Sequence, residues 1–264
     1  MMVPLNESEI RSGLATSRIG HSLYLFHEVD STNEEAATLA THGAPEGTVV
    51  IAEAQRRGRG RMGRRWASPA EVGIYLSVIL RPPIPPRAAT SLTLLGALAV
   101  AEAIEGTTGF EAALKWPNDL VVRGRKVGGV LGELDAEGSR LRHVVLGIGV
   151  NVNQVEADFE GGLRQTATSL QIELGHPVDR TAMIRSVCEG LDHWYDRFLS
   201  SGVAPILDRV RRRCLTLGRE VVARSGDEEL RGLAVEVDDA GALVVRSADG
   251  GLHRLFAGDV TLRG

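Results

Sequence analysis

A chain of 264 residues with 43% apolar content is large enough to bury one sizeable core with a smaller unit beside it. Its net charge of −4 argues against a general polyanion binder. Its start does not read as a basic-flanked apolar leader and no later run reads as a membrane span, so a soluble, cytoplasmic protein with no membrane role is expected.

A short helix is expected over residues 6 to 18, and LYLFHEV (23–29) reads as a first strand. In DSTNEEAATLA, Thr32 with Glu35, or Ser31 with Glu34, fits a capping box that opens a helix. TVVIAEA (48–54) is a buried strand that delivers the chain into QRRGRGRMGRRW, and GIYLSVIL (73–80) leaves it. RPPIPP breaks that strand before a long apolar helix over 88–105. The strand ending in ALKW (112–116) stops at PND, DLVVRGRKVGGVLGEL makes a hairpin through residues 123–126, and 141–153 is another buried strand.

Helices return over 181–199 and 203–212, with Leu191, Trp194, Tyr195 and Phe198 as a core-facing stripe. Beyond Leu215, REVVARSG, LRGLAVEV, ALVVRS and LHRLF alternate with the turn signals DDAG and ADGG. Such a small all-β unit is marginal alone and should pack on the larger domain. Cys188 and Cys214 are too few for a disulfide framework. His193 and the other histidines lack a partner at ligand spacing, so no dedicated protein cage for a metal is expected.

Six arginines crowd the eleven residues 55–65. Their mutual repulsion, and the entropy cost of ordering Gly58, Gly60 and Gly63, predict a loop that is mobile when empty. Guanidinium forks grip carboxylate or phosphate, and Trp66 offers an aromatic face for a base. Taken alone, the segment fits a solvated basic turn or a nucleic-acid patch equally well. STN (31–33), KWPND (115–119) and RKVGG (125–129) also interrupt strand ends, each with an ordinary reading as a cap, a turn or an exposed hairpin lysine. In GIGVNVN, Gly147, Gly149, Asn151 and Asn153 alternate, so something other than core is expected on that strand face. Neither GxxxxGKS/T nor a strand-GxGxxG-helix is present, so any nucleotide is held by a different architecture.

Together, GRGRMGRRW, KWPNDL, KVGGVLGE and GIGVNVN, in this order between Asp30 and Asn153, resemble the biotin protein ligases, and the small β unit matches as well. The resemblance implies an α/β (α+β) catalytic domain, 1–214, around a mixed sheet flanked by helices, and an SH3-like barrel, 215–264. It implies an ATP-dependent ligase that makes biotinyl-5′-AMP and passes biotin to a lysine of the biotin carboxyl carrier domain of a biotin-dependent carboxylase. Biotin would be held by Ser31, Thr32, Asn33, Gln55, Arg59, Gly60, Arg61, Lys126, Gly128 and Gly129. ATP and the adenylate would be held by Arg64, Trp66, Lys115, Asn118, Lys126 and Asn151. Lys126, Arg59 and Arg61 would carry the charge of the reaction; an acceptor lysine protonated at neutral pH needs a base, and Asp119 is the expected one. Magnesium would arrive with ATP, near Asn118, and keep most of its water.

Two departures from the family pattern matter. Larger members that double as repressors begin with a helix-turn-helix, whereas about twenty residues precede the first strand here, so repressor activity is not expected. Met62 stands where relatives often carry a polar or basic residue. A homodimer is compatible with the resemblance. The rival readings are a lipoate or octanoate ligase, a nucleic-acid-binding regulator using the arginine loop with Arg211, Arg212 and Arg213, and a biotin-responsive regulator without catalysis. The second predicts steeply salt-dependent binding.

Overall fold

The structure, a computed structural model, describes residues 3–225, 228–256 and 258–262. α1 (Glu7–Ser12) opens on Asn6, whose side-chain oxygen accepts from the amides of Ser8 and Glu9 at 2.9 and 3.2 Å. It ends well before residue 18. The amides of Ser17, Arg18 and Ile19 turn instead to the Asp192 carboxylate, at 2.7, 2.9 and 2.9 Å, which gives them partners outside any helix.

β1 (Leu23–Val29), α2 (Thr32–Thr41), β2 (Val49–Gln55) and β3 (Gly73–Leu80) follow within a residue or so of the predicted bounds. The capping boxes do not form: Ser31 is the N-cap residue of α2, yet its side chain makes no capping bond. α3 (Thr90–Thr108), β4 (Ala113–Lys115), β5 (Asp119–Val122), β6 (Arg125–Glu137) and β7 (Arg140–Asn151) complete the large sheet. Trp116 leaves the predicted ALKW strand at a cis Trp116–Pro117 bond.

The sheet order is β1-β2-β3-β7-β6-β5-β4, with β1 and β2 parallel and the remaining neighbours antiparallel. The period of two along each strand gives the sheet two different faces. On one face Ile51, Ile74, Leu76, Leu146 and Ile148 join the main core with α3 and α6 (Arg180–Ser201). Each such fully buried side chain contributes roughly 1.5–3 kcal/mol. On the other face Val50, Ile79 and Val145 pack against Ala36 and Ala40 of α2. Further along that second face the apolar side chains give way to Ser77, Gly147 and Gly149, and there the sheet is left open for a site.

The short helices α4 (Leu163–Thr166) and α5 (Leu170–Leu174) lie between β7 and α6, too brief for a helical period to reveal them in sequence. α7 (Ala204–Arg213) leads into β8 (Glu220–Ser225), β9 (Glu228–Val237), β10 (Leu243–Arg246), β11 (Leu252–Leu255) and β12 (Asp259–Leu262). These form an antiparallel sheet in the order β11-β10-β9-β8-β12. Gly226, which ends the predicted REVVARSG strand, lies outside the described residues.

The small unit packs on the large one, as expected. Trp116 Nε1 donates to Gly241 O at 3.0 Å, the Leu215 amide donates to Leu114 O at 3.0 Å, and Arg211 Nε donates to Val237 O at 2.7 Å. Arg211 also reaches Asp239, and Arg213 reaches Glu105. Two of the three clustered arginines are thus engaged in holding the fold, not displayed toward a polyanion.

Candidate active site

The start of α2 and the end of β2 meet through a cluster of buried polar groups. The Thr32 amide donates to Gln55 Oε1 at 2.9 Å, and Gln55 Nε2 donates to Ser68 Oγ at 2.8 Å, so the Gln55 amide is fixed in orientation. Ser77 Oγ lies 2.6 Å from Asn33 Oδ1 and 2.8 Å from Thr32 Oγ1. An amide oxygen can only accept, so the single Ser77 proton goes to Asn33. Thr32 then has one proton to share between Ser77 Oγ and Gln55 Oε1, the latter 3.2 Å away. Ser31, only 1% exposed, makes no side-chain hydrogen bond among the described residues. The cluster therefore holds hydroxyls with capacity left for a polar ligand.

The arginine loop is a tight turn, not an open coil. Arg59 and Arg65 form an antiparallel bridge, the Gly60 amide donates to Arg64 O at 2.7 Å, and the Trp66 amide donates to Gly58 O at 2.9 Å. Met62 (φ 56°) and Gly63 (φ 72°) take the left-handed conformation that closes the turn. The expected mutual repulsion is relieved by acids from elsewhere in the chain. Arg56 pairs with Glu28 and Asp30, Arg57 with Asp30, Arg59 with Glu133 at 2.9 Å, and Arg64 with Asp259 of β12. Glu133 also accepts from Asn33 Nδ2 at 2.7 Å, so it ties the loop to the polar cluster.

Burial opposes ionisation of Asp259, but the Arg64 hydrogen bond and the charges of Arg64, Lys115 and Arg61 prevail and hold its carboxyl below the usual range. Arg61 is the most enclosed of the loop cations. Burial draws its pKa down, and it donates to Asn118 Oδ1 at 3.3 Å, while Asn118 Nδ2 donates to Val130 O at 3.0 Å.

Opposite the loop, β5 and β6 carry Asp119 and Lys126. The register slips between Leu120 and Val121, so Leu120 faces Gly128 but Val121 faces Lys126, which leaves Val127 as a β-bulge. Bulges re-aim side chains. Lys126 Nζ reaches Asp119 Oδ1 at 2.5 Å and lies 5.4 Å from the centre of the Trp66 ring. A Cβ at Gly128 would sit 2.9 Å from Gly149 O, so nothing larger than glycine fits there. At Gly129 a Cβ would make ordinary contacts with Lys126 and Asn118.

GIGVNVN accounts for its missing side chains. A Cβ at Gly147 would lie 2.0 Å from Asn33 Oδ1, and one at Gly149 would lie 2.6 Å from Trp66 Cε2. The two glycines make room for residues of the site. Trp66 Nε1 is buried and without a hydrogen-bond partner among the described residues. An unpaired buried donor costs free energy unless a ligand or water answers it.

Asn151 is committed to the protein: its Nδ2 donates to Thr168 O at 3.0 Å. Asn153 lies beyond β7 and bonds both backbone groups of Val178, a structural use. Lys115 faces Asp119 across the β4–β5 pair. Sequence reasoning missed Ser77, Glu133, Thr168, Glu173 and Asp259. Ser77 alone left a signal, as the one polar residue within GIYLSVIL. A separate groove of about 870 Å³ between the end of α2, Pro82–Pro85 and the β6–β7 turn is lined by none of the predicted site residues.

Residues 25–151 match the biotin/lipoate A/B protein ligase family, and residues 216–263 match the biotin protein ligase C-terminal domain. The bifunctional ligase/repressor BirA of Bacillus subtilis is 39% identical over 259 residues, covering 98% of this chain and 79% of that protein. The biotin–(acetyl-CoA-carboxylase) ligase of Paracoccus denitrificans is 37% identical over 227 residues, covering 84% of this chain and 92% of that protein. The structure of the Aquifex aeolicus biotin protein ligase in complex with biotin and ATP superimposes with a TM-score of 0.79 at 31% identity, covering 92% of this chain and 99% of that one. With the motifs in order, the mixed sheet and the C-terminal β unit all in agreement, the chain belongs to the biotin protein ligase family.

Proposed function

We propose that this chain joins biotin to ATP as biotinyl-5′-AMP and passes the acyl group to a lysine of a biotin carboxyl carrier domain. The observation that carries this is one cation, Lys126, placed between the Asp119 carboxylate and the Trp66 ring. Ser31, Thr32, Asn33 and Gln55 supply donors and acceptors for the biotin head group. Trp66, packed on the bare Gly149 backbone with its Nε1 unanswered, offers the aromatic surface for the base.

The chemical difficulty is that two anions must meet. Lys126 exchanges Asp119 for the biotin carboxylate and the α-phosphate, and Arg59 and Arg61 close over both from the loop. A carboxylate oxygen attacks the α-phosphorus, the bond to the β-phosphate oxygen breaks, and pyrophosphate leaves. Magnesium would arrive with the ATP in this reading, and Asn118 would present an oxygen donor of the kind such a cation prefers.

In the second step the amine of the carrier lysine attacks the acyl carbon, the bond to the AMP oxygen breaks, and the amine proton must go to a base. A free lysine titrates near about 10.4, so that proton is firmly held at neutral pH. Asp119, released from Lys126 by the incoming anions, takes this part. Asp119→Asn is expected to slow transfer from ready-made biotinyl-5′-AMP by about a hundredfold; unchanged lysine transfer would remove Asp119 from the role.

Gly149→Ala pushes a methyl group into Trp66. Overpacking of this kind costs about 1–3 kcal/mol, which corresponds to a KM for ATP raised about five- to 150-fold. Biotin affinity should hardly change, and equal effects on both substrates would count against Trp66 as the base-binding residue. The whole reading is tested by mixing the protein with labelled biotin, MgATP and a carrier domain in cytoplasm-like buffer. Label on the carrier lysine is expected, and acceptance of lipoate with no transfer of biotin would sink the proposal.

A further inference from the structure

Lys126 stands at a weakly supported point of its strand. The β6–β7 ladder runs only from Gly128 onward, and on the other side the bulge at Val127 interrupts pairing with β5. The place of β7 beside Lys126 is taken by a stretch from the α4–α5 connection. Lys126 and Ala167 form a parallel bridge, and the Thr168 amide donates to Lys126 O at 2.8 Å.

Thr168 is fully buried, and each of its polar groups has a partner. Its carbonyl accepts from Asn151 Nδ2 at 3.0 Å, and its hydroxyl donates to Glu173 Oε1 at 2.6 Å. The Glu173 side chain is 4% exposed; its Oε1 also accepts from Arg125 Nη2 at 2.6 Å, and Arg123 lies 3.7 Å from its Oε2. A single buried carboxylate thus grips both the hydroxyl of Thr168 and the residue just before Lys126. It touches neither Trp66 nor the hydroxyl cluster of Ser31 to Gln55.

We infer that Glu173 and Thr168 are positioning residues for adenylate formation: through the Thr168 backbone they fix Lys126 and Asn151, and through Arg125 they fix the entry to the bulge. The role rests on the proposed part of Lys126 at the reacting phosphate. A catalytic group displaced by about 1 Å loses on the order of a hundredfold in rate. A hydrogen bond that sets its place can therefore matter far more to rate than to stability.

The test compares Thr168→Val, Thr168→Ser and Glu173→Gln in two assays on the full-length protein: biotin-dependent ATP–pyrophosphate exchange, and lysine transfer from ready-made biotinyl-5′-AMP. Thr168→Val keeps the shape and removes only the bond to Glu173. For Thr168→Val and Glu173→Gln the exchange kcat should fall at least tenfold and the KM for ATP should rise, with the KM for biotin within about threefold. Thr168→Ser, which keeps the hydroxyl, should restore exchange to near the original rate. Folded Thr168→Val and Glu173→Gln proteins with exchange parameters within twofold would overturn the role. So would losses that follow the melting temperature and affect ATP and biotin equally, since those belong to a merely structural contact. Absence of exchange in the unaltered protein would instead overturn the ligase reading, and this role with it.

Discussion

Lys126→Met yields a folded protein whose biotin-dependent pyrophosphate exchange is about a thousandfold slower. Removing one neutral, preorganised donor at a developing oxyanion costs about 10²–10³ in rate, and Lys126 is a full cation placed where two anions must approach. The fold should barely notice. The Lys126 and Asp119 side chains are 35% and 22% exposed, and partly solvated pairs of this kind contribute only about 0–1 kcal/mol. Methionine keeps the length and the apolar stem against Trp66, so packing is preserved while charge is lost. The melting temperature and the exchange rate, measured on the same sample, separate the two effects. An exchange rate within tenfold of the original would remove Lys126 from the chemistry, and a large fall in melting temperature would reassign it to the fold.

The difference between what the sequence disclosed and what it hid follows the range of the interactions. β3 and β7 were legible because their apolar runs are set by neighbours two residues apart. The absent side chains of GIGVNVN were legible too, as a strand face with nothing to pack, although Trp66 and Asn33 as its occupants were not. The arginine loop shows the limit. Read locally, its cations repel one another and no partner for them is in view. In the fold, Asp259 comes from 195 residues away to pair with Arg64, and Glu133, 100 residues from its Asn33 partner, comes to Arg59. The helix expected to reach residue 18 failed for the same reason, because Asp192 draws off the amides of Ser17 to Ile19. Local propensity places elements, while long-range charge decides how their ends finish.

The largest loss of stability is expected from Arg180→Met. Arg180 and Glu53 are each 4% exposed, and their closest approach is 2.5 Å. Arg180 also donates to Val3 O at 2.8 Å and to Gly73 O at 3.3 Å, while Glu53 accepts from the Leu5 amide at 2.5 Å. The pair therefore fastens α6, β3 and the segment before α1 to the middle of β2. Methionine would leave the Glu53 carboxylate buried with one backbone donor and no countercharge, a situation that costs about 3–5 kcal/mol. For a protein of this size that corresponds to a melting temperature lower by roughly 10 °C. Adding Glu53→Leu removes the stranded charge and should recover part of the loss. Recovery stays incomplete because the buried Leu5 amide and Gly73 carbonyl would still lose these partners, each worth about 1–3 kcal/mol when left unanswered. The decisive comparison is the single variant against the double by thermal melting. A double variant less stable than Arg180→Met would show that the stranded carboxylate is not the source of the loss. Because Glu53 lies two residues before Gln55 on β2, biotin affinity in the surviving folded fraction reports whether this buried pair also sets the strand end on which the site is built.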